Sequence, residues 1–179
     1  MANDSEPGDP SQLPSADAGA PDAGSEPIVG PVSYNEVRET LWLAGGERGR
    51  MTLEWLEPVV SRWEATAITA TEVGELLLLG SDPGGPWDVL TNGTYRVRDA
   101  DAPQQGETEL SWDPTWSLIA VSDVESGERL LLDGNARALA VWWGHSAGTF
   151  PRDTRMRLLL GHLHPWVSRV CKPLSPLWR

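Results

Sequence analysis

The stretch Arg129-Leu130-Leu131-Leu132-Asp133-Gly134-Asn135-Ala136-Arg137-Ala138-Leu139-Ala140-Val141-Trp142-Trp143 decides the fold. Its opening apolar run is strand-sized, and the Ala/Leu-rich segment from Ala136 to Trp143 reads as a helix ended by Gly144. Between them, Asp133-Gly134-Asn135 turns one element into the other. A strand that turns through Gly into a helix is a ready anion site. Gly134 lets the backbone approach a ligand closely, Asn135 can cap, and the free N–H groups of the first turn point outward at the positive end of the helix dipole. Arg137 in that first turn can add a bidentate contact to phosphate or carboxylate. Asp133, at the strand's end, is placed to hold a metal or accept a proton. A purely structural junction is the alternative, since many strand–Gly–helix turns bind nothing.

Outward from this junction, the C-terminal third reads as strand, turn, strand, helix, strand. Ser117 to Val121 is an apolar strand and Glu125-Ser126-Gly127-Glu128 a turn. After the junction helix, Arg155 to Leu160 forms a further strand. Upstream, Trp87-Asp88-Val89-Leu90, Asn92-Gly93 and Thr94-Tyr95-Arg96-Val97 read as a β-hairpin, because Asn-Gly is the strongest short hairpin signal. Leu76 to Leu79 is expected to be a helix running into a turn. Leu53, Leu56, Val60 and Trp63 sit at i, i+3, i+7 and i+10, which predicts a helix with one apolar face, capped by Thr52 and kinked or delayed by Pro58. Near the start, Ile28-Val29 and Pro31-Val32 suggest a short strand, and Ser33 caps a helical turn through Arg38. The reading is therefore an α+β domain over residues 28–179, a small mixed sheet packed with helices. Residues 1–27 are Asp, Glu, Pro, Ala, Gly and Ser with few branched apolar side chains, so they are expected to form a disordered acidic tail.

Charge and composition exclude several classes. The net charge is −12, and half of it lies before residue 31, where no Lys or Arg occurs. The remainder is acidic too, so neutralising nucleic-acid phosphates is not expected of it. Cys171 is the sole cysteine, so no internal disulfide forms. No basic-then-apolar leader is visible, and no apolar run approaches the roughly 18 residues of a membrane span, so no membrane contact and a cytoplasmic location are expected. Ten Trp against one Phe and two Tyr is unusual. Core and rim packing accounts for them most simply, and the sharper reading is that some line a pocket for an aromatic or apolar ligand.

The segment Leu131 to Ala140 resembles the phosphate-binding segment of the ParB/sulfiredoxin superfamily, whose members carry Gly-Glu-Arg-Arg, Gly-Cys-His-Arg or Asp-Gly-His/Asn-His-Arg at this place. The order of elements from Ile28 to Leu163 is similar as well. The resemblance implies a ParB/sulfiredoxin-like fold with an anion site at Gly134, Asn135 and Arg137. In kinase-like members an acidic residue after the first strand is the base for the substrate hydroxyl; Glu36 and Glu39 stand there, and Glu39 is preferred. Where those members use a His or Arg on nucleotide phosphate, this chain has Ala136. Asn135 replaces the sulfiredoxin Cys, which excludes sulfinic acid repair by that residue, and the basic DNA-reading helices that follow the ParB domain have no counterpart here.

Two functions follow as expectations. One is a small-molecule tailoring enzyme of specialised metabolism, transferring phosphoryl from ATP or ADP with Mg²⁺ on Asp133 and with Asp133 and Glu39 as catalytic groups. The other is a non-catalytic ligand-binding or regulatory module that keeps the fold. His145, just after the junction helix, is a further candidate ligand contact. With His162 and His164 it offers three imidazoles for a metal, against the simpler reading of ordinary surface or core histidines. From the tail's composition, a chain beginning at Ile28 is expected to keep its melting temperature within about two degrees; calorimetry of the shortened and full chains checks this.

Overall fold

The computed structural model describes residues 29–43, 53–54, 56–79, 93–101, 117–151 and 153–171. Its elements run β1 (Gly30–Val32), α1 (Tyr34–Leu43), a 3₁₀ turn (Glu57–Val59), β2 (Val60–Thr69), α2 (Ala70–Gly74), β3 (Leu77–Leu79) and β4 (Gly93–Arg96). A second 3₁₀ turn (Val97–Asp99) follows, then β5 (Ser117–Ser122), β6 (Arg129–Asp133), α3 (Asn135–Ser146), β7 (Arg155–Leu163) and α4 (Pro165–Cys171). This is an α+β arrangement around one mixed sheet of seven strands, ordered β1-β2-β7-β5-β6-β3-β4. β5 pairs in parallel with β7 and antiparallel with β6. β2 pairs antiparallel with β7 over nearly its whole length.

Helices cover both faces. On one, Val37 and Leu41 of α1, Leu53, Leu56 and Val167 of α4 pack on Trp63, Ala65, Ile119, Leu130 and Leu159. On the other, Val73 of α2, Val97, and Ala138 and Val141 of α3 pack on Ile68, Leu118, Leu131, Met156 and Leu158. Alternate residues of one strand therefore enter different cores, and a central strand such as β5 is buried at every position. Ser33 caps α1, its Oγ accepting from the Glu36 N–H at 3.2 Å.

Several sequence expectations are corrected. The helix built on Leu53, Leu56, Val60 and Trp63 spans two elements. Residues 53, 54 and 56 are helical, but Val60 and Trp63 belong to β2. Pro58 has no N–H to continue a helix, and it sits in the 3₁₀ turn that precedes the strand. The helical spacing across it is coincidental; within β2 the period is two, with Trp63 and Ala65 entering one core. Leu76 to Leu79 is not a helix end. Leu77–Leu79 is a strand between β4 and β6, and its unbroken apolar run reflects burial on both faces, with Leu77 in one core and Leu78 in the other. α3 does not stop at Gly144 but runs on to Ser146; the Phe150 ring lies against Gly144 in the space a side chain would take. β7 extends to Leu163 and so includes His162. Of the expected hairpin, only Gly93 onward falls within the described residues, where it pairs with β3. The expected tail and the Thr52 cap lie outside them, as does the Cys171 side chain.

One contact fixes the β2–β7 pairing on the α1 side. Trp63 lies directly across from Gly161, and a Cβ added there would stand 2.8 Å from the indole. Gly161→Ala is therefore expected to destabilise by about 1–3 kcal/mol through overpacking, read as a lower urea midpoint with an unchanged slope.

Candidate functional site

The junction forms as its residue types dictate. Gly134 takes φ 95° and ψ 23°, a left-handed turn open to Gly and costly for a side chain, and α3 begins at Asn135. No side chain caps this end, and Asn135 and Ala136 are exposed. The N–H groups of the first turn are thus left to solvent or to a ligand. The space over Gly134 is occupied from within: a Cβ there would meet Leu118 Cδ2 at 2.7 Å and the Arg137 guanidinium at 3.3 Å.

Arg137 is held by two bonds. Its NH2 donates to Asp133 Oδ2 at 2.5 Å, and its NH1 donates to the Ser117 carbonyl at 2.6 Å. One guanidinium thereby ties the first turn of α3 to the end of β6 and the start of β5. The sequence placed Arg137 toward an external anion; the side chain turns inward to these partners, with 21 % of it exposed against 26 % for Asp133. A second arginine–carboxylate pair lies at the same end of the sheet. Arg157 of β7 is in register with Ser117, and its NH2 donates to Glu36 Oε1 at 2.5 Å. The Arg157 Nε is buried with no partner in the protein. Of the two acids on α1, Glu36 reaches the sheet in this way, while Glu39 is exposed on the helix.

The structure brings Asp133, Gly134, Asn135 and Arg137 together and sets His145 apart. Eight residues along α3 separate Arg137 from His145, a rise of roughly 12 Å. His145 Nε2 lies 3.4 Å from Thr71 Oγ1 of α2. The three histidines do not converge. His162 Nδ1 is 3.3 Å from Ser122 Oγ and its Nε2 is 2.9 Å from Glu64 Oε1, while for His164 the backbone N–H donates to the Val59 carbonyl. Among the described residues no group of three or more His, Cys, Asp or Glu is arranged to hold a metal.

The Ser122–His162–Glu64 group was not legible in the sequence, since its members come from β5, β7 and β2 and meet only through strand order. Ser122 is 6 % exposed, so its hydroxyl is not offered to a substrate; His162 Nε2 is close to Glu64 without hydrogen-bonding geometry, and the group is a polar cluster between strands rather than a continuous hydrogen-bonded relay. A smaller hollow of about 220 Å³ near Glu72 and Leu76 is bordered by a bidentate pair, Arg96 NH2 and NH1 to Glu128 Oε1 and Oε2 at 2.8 and 3.1 Å. Hydrogen bonding to Glu128 raises the pKa of Arg96, which stays charged there. At the start of α2, Thr69 and Glu72 form a capping box, and the Thr69 N–H holds the Glu72 carboxyl below its usual pKa.

Among the described residues no helix is long and apolar enough to cross a membrane. Comparison of the chain with protein-family models, curated proteins and solved structures gave no match.

The two hydrogen bonds of Arg137 make it a structural clip. Arg137→Ala leaves the Asp133 carboxylate and the Ser117 carbonyl without that partner, and is expected to cost about 1–2 kcal/mol after allowance for partial exposure. Arg137→Lys should recover only part of this, because one ammonium cannot reproduce the planar fork. Urea unfolding of the two variants checks both.

Proposed function

We propose that the chain is a ligand-binding module on a ParB/sulfiredoxin-like frame, holding an anionic group of a small molecule at the start of α3 without turning it over. The supporting observation is the Gly134 turn followed by a helix start with no side-chain cap, at which Asn135 and Ala136 are exposed, so that the N–H groups of the first turn have no partner of that kind. An anion seated there gains from the helix dipole and from the Arg137 donors not used by Asp133 and Ser117. The non-catalytic part of the reading rests on Asp133. Its carboxylate is paired with Arg137, and that pairing competes with metal binding. Ala136 at the place where nucleotide-using members of that superfamily carry His or Arg, and Glu39 on an exposed helix face, speak for binding over phosphoryl transfer.

One observation favours the second reading, a tailoring enzyme that transfers phosphoryl from ATP or ADP. About a quarter of the Asp133 side chain is exposed, so Mg²⁺ and a phosphate can exchange with the Arg137 pair. The two readings separate in one titration. Thermal shift with phosphate, sulfate, ATP, ADP and CTP, with and without Mg²⁺, is expected to show stabilisation that needs no Mg²⁺. Ala136→Arg, at an exposed position of the first turn, is expected to tighten anion binding about tenfold without loss of stability. A shift seen only with Mg²⁺ and a nucleotide, accompanied by turnover that Asp133→Asn abolishes, would favour the enzyme. No shift with any anion would remove the anion site.

A further inference from the structure

The other end of α3 is chemically unlike its start. Thr71 of α2, Trp142, His145 and Ser146 of α3, the turn at 147–148 and Phe150 line an open groove of about 850 Å³, within the range of small-molecule sites. Its aromatic walls are held by glycines. The Trp142 ring lies on Gly74 of α2, where a Cβ would stand 2.7 Å from it, and the Phe150 ring lies on Gly144, where a Cβ would stand 2.5 Å away. The segment after α3 is pinned back on the helix. Thr149 and Phe150 donate their N–H groups to the Gly144 carbonyl at 2.9 and 3.2 Å, and Gly148, with φ 72°, donates to the His145 carbonyl at 3.0 Å. The groove is thus built before any ligand arrives.

We infer that this groove is a binding site for a neutral, planar aromatic molecule carrying one polar group on its edge, of the phenol or indole type. Three rings supply the faces; the Trp142 and His145 centroids are 6.0 Å apart and inclined at 44°. Among the described residues the lining contains no Asp, Glu, Lys or Arg, so apart from the His145 imidazole they offer no group to balance a charged ligand. The carbonyl end of the helix dipole disfavours an anion further. The polar edge of the ligand is read by Thr71 Oγ1 and His145 Nε2. These stand 3.4 Å apart, a weak bond that leaves both able to engage a third group, while His145 Nδ1 on the other side of the ring is buried without a hydrogen-bond partner. The inference is independent of the anion reading, which concerns the opposite end of α3.

The test uses the full chain with phenol, indole and benzoate, followed by saturation-transfer NMR and calorimetry. Phenol and indole are expected to bind, with benzoate at least about tenfold weaker. Thr71→Val removes an exposed hydroxyl at constant shape and should weaken phenol binding roughly tenfold with an unchanged melting temperature; His145→Ala should do the same. Saturating phosphate should not displace either ligand. The inference is overturned if neither phenol nor indole binds at about 10 mM, if benzoate binds as tightly as phenol, or if both variants keep the wild-type affinity.

Discussion

The parallel pairing of β5 with β7 is the constraint on which the rest of the structure depends. Six consecutive residue pairs, from Ser117–Arg157 to Ser122–His162, join two strands that lie mid-sheet and are apolar on both faces. Parallel neighbours cannot be joined by a tight turn. The chain leaves β5 through an antiparallel β6 and must then carry a helix past β5 to enter β7. α3 is that helix. It starts beside Ser117, at the beginning of β5, and ends beside Thr71, two residues beyond Thr69 at the end of β2, which is itself opposite Arg155 at the beginning of β7. Both ends of α3 therefore come out toward the same end of the sheet, one through a Gly-Asn turn with free N–H groups and the other through a carbonyl end walled by rings. The two chemically opposite ends are a consequence of a single crossover.

How far this was legible depends on whether the deciding signal was local. Gly134 between an apolar strand and an Ala-rich helix is a local signal, and both the positive φ and the helix start follow from it. Ser117 to Val121 and Arg155 onward are likewise readable as apolar runs of strand length. The failures come where two elements share one pattern or where a strand is buried twice. Leu53, Leu56, Val60 and Trp63 match a helical stripe only because a Pro-containing turn separates a short helical piece from a strand at a spacing that mimics one. Leu77 and Leu78 enter different cores, so their neighbouring hydrophobicity carries no period at all. At the candidate site, residue types were legible and directions were not. Whether Arg137 turns outward to an anion or inward to Asp133 depends on the Ser117 carbonyl, 20 residues away in the chain. The Thr71–His145 and Ser122–His162–Glu64 contacts are long-range in the same sense.

The aromatic residues show a common device. Trp63 on Gly161, Trp142 on Gly74 and Phe150 on Gly144 are three large rings, each set against a residue with no side chain. A flat ring on bare backbone gives close contact over a wide area, which fills space near a sheet or a short helix without long aliphatic side chains. This accounts for part of the tryptophan use. Trp63 serves a core, Trp142 serves a groove wall, and Trp166 on α4 is nearly half exposed.

Among the described residues, the two outermost strands of the sheet are short. β1 is three residues long and has Pro31 at its middle, a residue with no N–H to offer a neighbouring strand. β4, at the opposite border among the described residues, is four residues long, and its final residue, Arg96, is drawn by Glu128 and the Glu75 carbonyl toward the body of the molecule. Short, interrupted borders offer little template for strand addition, the step that begins cross-β assembly. A chain this rich in apolar central strands thereby keeps its most aggregation-prone segments, β5 and β7, covered on either side by paired neighbours.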